Sequence, residues 1–138
     1  MMKLSPAALG SLTILAMLSI TAQAQSVTPM RGTVTSFTDE FAMRIFPTNP
    51  YSQRIPIEIH VYDQDFYEID ARISPSKFIL PAGGSRKVTV VIPFDGLTER
   101  RVRICTESVP FPRQSFSIPQ QQTTIRTQIC GRFIGQRR

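Results

Sequence analysis

Two cysteines, Cys105 and Cys130, have the most clearly defined chemistry in this 138-residue chain. They could form a disulfide, ligate a metal ion or act as a redox pair. A structural metal site needs further cysteine or histidine ligands, and His60 is the only other such residue in the sequence. No C-x-x-C spacing indicates a thioredoxin-like dithiol. A disulfide is therefore the favoured chemistry if the chain enters an oxidising compartment.

Arginine is concentrated in the final part of the chain. Residues 100–138 contain eight arginines and one acid, Glu107, whereas residues 25–99 contain seven Lys or Arg and nine Asp or Glu. A basic surface on an exported protein can bind lipopolysaccharide or phospholipid head groups, a polypeptide carboxylate or an acidic polymer, and nucleic acid is not an expected partner. An ordinary solvated basic face that aids solubility is the open alternative.

Other residues that could support catalysis or metal binding are sparse. His60 lies on the polar face of an alternating strand with no neighbouring serine or cysteine nucleophile, which is typical of a surface residue. Four acids at positions 63, 65, 68 and 70 could hold calcium weakly. Their spacing lacks the glycine and the bidentate glutamate of a calcium loop, so a solvated turn is favoured. We predict no enzymatic activity, no cofactor and no metal site.

The N-terminus reads as an export signal. Met1, Met2 and Lys3 form a short basic region, residues 9–20 are apolar, and Ala22-Gln23-Ala24 is a small-x-small cleavage signal. The apolar run is too short to span a bilayer comfortably. We expect a cleaved signal peptide at 1–24, one domain at 25–138, a periplasmic location and no stable membrane insertion. Export in turn favours pairing of the two cysteines.

Short strands broken by proline, asparagine, aspartate and glycine predict an all-β sandwich. The clearest strand is Ile55–Tyr62, in which apolar residues alternate with Pro56, Glu58, His60 and Tyr62. Strict alternation of this kind predicts one buried face and one solvated face. Further strands are predicted at 33–37, 41–46, 100–106 and 124–134. The proline- and glutamine-rich connection at 109–122 is expected to be mobile in the free protein.

A turn at 81–84 separates two apolar runs in the middle of the chain. The runs are Lys77–Leu80 and the β-branched segment 87–92. The Gly83-Gly84 pair can adopt the positive φ of a tight reversal, and Pro81 restricts the chain just before it. These features predict a β-hairpin.

The faces of the last two strands predict their register. Val102 and Ile104 share one face of the first strand, leaving Cys105 on the arginine side. In the last strand Cys130 also lies on the arginine side, opposite the face of Ile125, Ile129 and Phe133. An antiparallel Cys105–Cys130 pair then also pairs Ile104 with Gly131, Val102 with Phe133, Thr106 with Ile129 and Arg103 with Arg132. Arg103 and Arg132 would repel each other unless an anion or solvent lies between them, so we predict a forked anion receptor.

The segment 73–94, ISPSKFILPAGGSRKVTVVIPF, resembles the middle of small immunoglobulin-like domains. It is most similar to the N-terminal domain of periplasmic pilus-assembly chaperones, the PapD-like family. The resemblance covers one of the two domains of such chaperones. It implies an immunoglobulin-like seven-strand β-sandwich.

The same resemblance implies a non-enzymatic function. In that family, basic residues of the first and last strands anchor the carboxylate of a pilus subunit, and apolar residues of the last strand complete the subunit's sheet. Arg31 lies in the early segment, with Arg126 and Arg132 flanking Cys130 in the last strand. The apolar residues are Ile125, Ile129 and Phe133. The implied partners are an extended polypeptide such as a pilin subunit and an outer-membrane usher. The alternative is a structural or accessory component of a surface appendage or outer-membrane complex whose basic patch contacts acidic lipid or polysaccharide.

Overall fold

The structure is a computed structural model that describes residues 26–108 and 127–138. The predicted signal peptide at 1–24 and the connection at 109–122 lie outside these residues. The regular secondary structure of the described residues consists of β-strands. Among these residues there is no helix long and apolar enough to cross a membrane. The strands are β1 (Ser26–Thr28), β2 (Arg31–Ser36), β3 (Glu40–Thr48), β4 (Ile55–Tyr62), β5 (Arg72–Ser74), β6 (Lys77–Leu80), β7 (Val88–Pro93), β8 (Glu99–Ser108) and β9 (Thr127–Arg137).

The strands form two sheets, which confirms the predicted all-β sandwich. One sheet has the order β1-β3-β7-β5 and the other the order β2-β9-β8-β4-β6. The described residues form nine strands rather than the seven predicted, partly because the first strand is divided. Its β1 part pairs antiparallel with β3, whereas its β2 part pairs parallel with β9 in the opposite sheet.

The core lies between the sheets and follows the predicted alternation. In β4 every second residue is buried, beginning with Ile55, and β3 contributes Phe41, Met43 and Ile45. The rings of Phe41 and Phe94 have centroids 4.9 Å apart, and both side chains are fully buried. Burying a large apolar side chain contributes roughly 1.5–3 kcal/mol, so these alternating strands account for much of the driving force for folding.

The predicted hairpin of Lys77–Leu80 with 87–92 is wrong, although its turn is present. The Gly84 amide donates to the Pro81 carbonyl at 2.9 Å, and Gly83 has a φ of 68°. However, β6 pairs with β4 in the five-stranded sheet, while β7 pairs with β3 and β5 in the other sheet. The connection therefore crosses between the sheets. Each strand pairs with a longer strand, β6 with β4 and β7 with β3, instead of with the other.

The fully buried Asn49 holds this crossing in place. Its side-chain Nδ2 donates to the carbonyls of Gln53, Leu80 and Pro81 at 2.8, 3.2 and 3.0 Å. Its backbone amide donates to the Gly84 carbonyl at 2.9 Å. One side chain thus contacts three backbone carbonyls at the point where the chain leaves one sheet for the other.

The register of β8 and β9 is the one predicted from their faces. Cys105 lies opposite Cys130, with Val102 opposite Phe133 and Arg103 opposite Arg132. The two sulfur atoms are bonded at 2.04 Å. The disulfide lies on the outer face of the sheet, since Ile104 and Thr106 on either side of Cys105 are buried among the core residues.

Replacing both cysteines with alanine should lower the free energy of unfolding by about 3.5 kcal/mol, because the bond closes a loop across 25 residues of sequence separation. Denaturant unfolding of the oxidised wild type and the double variant measures the difference. The double variant should match the reduced wild type. Equal stability of the oxidised wild type and the double variant would contradict the prediction.

Asn49→Asp should destabilise the fold by about 2 kcal/mol or more, because a carboxylate oxygen would then face three carbonyl oxygens in a buried site. Thermal and denaturant unfolding measure this loss. Gln64→Glu makes the same amide-to-carboxylate change on an exposed side chain and should leave stability within about 0.5 kcal/mol of the wild type. Similar losses in both variants would show that charge, and not the carbonyl contacts, is responsible.

Candidate functional site

Three of the predicted arginines lie in one row across neighbouring strands. Arg31 of β2 is the register partner of Arg132 in β9, and Arg132 is in turn the partner of Arg103 in β8. Their sequence neighbours Val102 and Phe133 are buried, so the arginines project from the outer face of the five-stranded sheet. We call Arg31, Arg132 and Arg103 the arginine row.

Arg103 is the most enclosed member of the arginine row. Its guanidinium carbon lies 4.5 Å from the centroid of the Phe66 ring, a distance suited to a cation–π contact. Tyr62, its register partner on β4, places its own ring with its centroid 6.1 Å from that of Phe66. The Arg103 Nε is buried and has no hydrogen-bond partner among the described residues. Arg103 is thus held by aromatic contact, with a donor still available to an acceptor.

The arginine row opens into a cleft of about 530 Å³. The described residues that line this cleft include a fourth arginine, Arg101, together with Gln64, and none of them is acidic. Arg101 is partly neutralised, since its Nε lies 3.1 Å from the Glu99 carboxylate. The cleft is therefore a positively charged concavity suited to an anionic group.

Among the residues that the structure describes, nearly half of β9 forms an open sheet edge beside this cleft. The β2 strand pairs with β9 only over residues 132–137, beyond which the Arg132 amide donates to the Met30 carbonyl at 2.8 Å. No strand of the described chain covers the remaining side of residues 127–131. Because backbone polar groups point to alternate sides along a strand, those of Gln128 and Cys130 face the same side as those of Arg132. That side is where an added strand would pair.

The predicted apolar residues of the last strand are placed differently from one another. Phe133 is only 1% exposed and belongs to the core, so its side chain packs against β3 and β8 and does not face a partner. Ile129 is partly buried against the core beside the open edge. Ile125 and Arg126 lie outside the described residues.

His60 lies on the outer face of β4, as predicted, but carboxylates surround it. Its Nδ1 is 2.9 Å from Glu68, and its Nε2 is 3.3 Å from Glu58 and 3.9 Å from Glu107. The hydrogen bond to Glu68 raises the pKa of His60, against the opposing effect of burial. Lys77 and, to a smaller extent, His60 lower the pKa of Glu58 by hydrogen bonding.

The acidic turn after β4 does not gather its carboxylates around one point. The Asp63 side chain accepts hydrogen bonds from the amides of Asp65 and Tyr67 at 2.8 and 2.9 Å. Glu68 turns toward His60 instead. In the described ranges 26–108 and 127–138, the only trio with potential ligand atoms in close proximity is Glu58, His60 and Glu107.

Sequence reasoning missed Arg101, Gln64 and Phe66 as parts of the arginine cleft. Period-two alternation in β8 could have identified Arg101, which lies on the same face as Arg103. The contact of Phe66 with Arg103 joins two segments 37 residues apart in the numbering of the chain, and no local pattern indicates it.

Comparison with known sequences gives no match, since no protein-family model and no curated protein matches this chain. Comparison with solved structures gives several matches. The Salmonella enterica SafA pilin in complex with the SafB chaperone matches with a TM-score of 0.67 and 16% identity over 83% of this chain and 54% of the other. The E. coli chaperone DraB matches with a TM-score of 0.66 and 14% identity over 83% and 55%.

A third match is a PapD-like domain of human CEP192, with a TM-score of 0.58 and 12% identity over 93% of this chain and 97% of that domain. The present chain spans about half the length of the bacterial chains it matches. At these identities the matches show the fold. The described part of this chain has the immunoglobulin-like fold of PapD-like domains.

Proposed function

We propose that this protein is a non-enzymatic, chaperone-like polypeptide-binding protein of the periplasm. An extended partner strand pairs with the open edge of β9 at residues 127–131, and the arginine row binds a carboxylate of the partner. The observation that carries this proposal is the position of the open edge, which ends at Arg132, the central member of the arginine row. One partner segment can therefore reach both features.

Main-chain pairing supplies affinity that does not depend on partner sequence. Gln128 and Cys130 present amides and carbonyls on the open side of β9, and an added strand satisfies them. The partly buried Ile129 lies between them and is a candidate apolar contact at this edge. Ile125 and Arg126 extend the proposed binding strand beyond the described residues.

Carboxylate binding by the arginine row follows from charge and spacing. Neighbouring strands lie about 4.8 Å apart, so Arg31 and Arg132 can each donate hydrogen bonds to one carboxylate. Three adjacent guanidinium groups repel each other in the free protein, and an anion relieves that repulsion. Arg103 is the register partner of Arg132, so it adds a third guanidinium group to the row.

The class of partner is proposed from the structural likeness. The matched Salmonella enterica structure holds a pilin together with a chaperone, which makes a pilin-like subunit the leading partner here and an outer-membrane usher a second one. The predicted signal peptide and the disulfide support export to the periplasm, where disulfides form and persist.

A second candidate function is supported by the basic surface itself. Arg31, Arg101, Arg103 and Arg132 line one cleft, and such a concentration of charge also suits acidic lipid or polysaccharide. On this alternative the protein is an accessory component of a surface appendage or outer-membrane complex, and the open edge of β9 has no binding role.

A short peptide of alternating valine and threonine with a free C-terminal carboxylate should bind roughly tenfold more tightly than its amidated form, the difference expected for charge-assisted hydrogen bonds. Arg31→Ala and Arg132→Ala should each weaken binding of the carboxylate form and remove the preference over the amide. Their effects should be non-additive, since each variant leaves the other arginine unable to chelate. Isothermal titration calorimetry with both peptides measures these constants.

Arg44→Ala is the matched control, because Arg44 is an exposed arginine on the opposite sheet. It should keep the wild-type affinity and preference. Equal binding of the two peptides by the wild-type protein would contradict carboxylate recognition. Binding to phosphatidylglycerol vesicles without binding to either peptide would favour the accessory role instead.

A further inference from the structure

The outer face of the five-stranded sheet carries a second polar cluster, separate from the arginine row. It consists of His60 and Glu58 on β4, Glu107 on β8 and Glu68 in the turn after β4. The disulfide lies between the two features, since Cys105 is the register partner of His60 and its neighbours two residues away are Arg103 and Glu107. The two features therefore face solvent on the same sheet but carry opposite charge.

Three potential ligand atoms converge in this cluster. The Nε2 of His60 lies 3.3 Å from Glu58 Oε2 and 3.9 Å from Glu107 Oε2. One potential ligand atom from each of the three side chains lies within 4.8 Å of the other two. Metal–ligand distances of about 2.0–2.2 Å in a tetrahedral zinc site place ligand atoms about 3.3–3.6 Å apart. Small side-chain rotations would bring the three atoms to that spacing.

The second polar atom of each of these three side chains has a partner that orients it. The Nδ1 of His60 is bonded to Glu68 at 2.9 Å, which directs Nε2 toward the other two carboxylates. Lys77 lies 3.2 Å from Glu58 Oε1, the oxygen that does not face His60. Gln128 and Tyr62 donate to Glu107 Oε1 at 3.0 and 3.2 Å. An imidazole oriented by a carboxylate and carboxylates that are themselves hydrogen-bonded are the usual surroundings of protein metal ligands.

The charge of the cluster also favours a cation. Three carboxylates, those of Glu58, Glu68 and Glu107, surround His60, and Lys77 is the only other cation in contact with Glu58 among the described residues. The side chains of His60 and Glu107 are 26% and 16% exposed, so an ion could reach them from solvent. A mixed nitrogen and oxygen ligand set suits zinc and similar transition metals better than calcium or magnesium, which prefer oxygen alone.

We propose that His60 Nε2, Glu58 Oε2 and Glu107 Oε2 bind one divalent transition-metal ion of the zinc type, with solvent completing the coordination and Glu68 orienting the imidazole. The ion joins β4 to β8 on the outer face of the sheet. This proposal is independent of polypeptide binding, since none of the three metal ligands belongs to the arginine row or to the open edge of β9, and Gln128 of that edge contributes only a side-chain hydrogen bond to Glu107.

The test uses the oxidised full chain without an affinity tag and zinc chloride as the probe. Calorimetry should show one saturable site per chain. Because the chain has a single histidine, its imidazole ¹⁵N resonances belong to His60 alone and report directly on binding. Zinc should shift the Nε2 resonance strongly, whereas calcium chloride at the same concentration should leave it unchanged.

Variants distinguish a ligand from an orienting residue. His60→Gln should lower zinc affinity more than about 100-fold, and Glu68→Gln should lower it roughly 10–100-fold, as outer-shell changes do. Asp65→Asn removes an exposed carboxylate from the neighbouring turn, and its affinity should stay within about twofold of the wild type. Circular dichroism and thermal unfolding show whether each variant is folded.

The proposal would be overturned if zinc produced no saturable heat and no shift of the His60 resonances in the wild-type protein. It would also be overturned by a folded His60→Gln protein that bound zinc with wild-type affinity. The resonance measurement needs no variant, so a His60→Gln protein that failed to fold would leave the wild-type result to decide the question.

Discussion

The pairing of β8 with β9 is the constraint on which the rest of the structure depends. Side chains alternate between faces along a strand, so a slip of one residue would place Arg103 in the core and Val102 in solvent. The apolar pairs on the inner face disfavour that slip. The disulfide between Cys105 and Cys130 fixes the same register covalently. Packing and covalent chemistry therefore specify the same arrangement of the sheet.

This register also separates charge on the outer face of the sheet. The arginine row lies on one side of the disulfide and Glu58 and Glu107 lie on the other, while His60 lies in the same row as the disulfide. Arg103 and Glu107 are four residues apart on β8, so these groups of opposite charge are about 14 Å apart along the strand. The uncharged disulfide lies between Arg103 and Glu107 along β8. The proposed anion site and the proposed cation site can thus coexist on one small surface without neutralising each other directly.

The divided first strand explains why β9 has an open half. Because β1 belongs to one sheet and β2 to the other, β2 begins only at Arg31 and covers only the later part of β9. If β2 paired with β9 along its whole length, no edge would remain for strand addition. If β2 were absent, β9 would expose a long edge prone to aggregation. The crossing thus limits the exposed edge to a few residues and places Arg31 beside Arg132.

The sequence by itself determined the features that depend on local alternation. The buried face of β4 and the register of β8 with β9 both follow from period-two patterns, which are readable within single strands. The sequence also identified Arg31, Arg103 and Arg132 as candidates, by charge and by resemblance. It did not show that they form one row, since that depends on the parallel pairing of β2 with β9.

The tertiary structure decided which strands are neighbours. The turn at 81–84 is a local feature and was predicted, but the partners of β6 and β7 were not, because strand pairing is a competition among distant segments. Phe133 shows the same limit, since its apolar character fits both a core and a partner surface, and only packing places it in the core. The sequence predicted His60 to be a surface residue but did not place Glu107 beside it, because the two are distant in sequence. Folding brings the two together, since β4 and β8 are adjacent in the sheet.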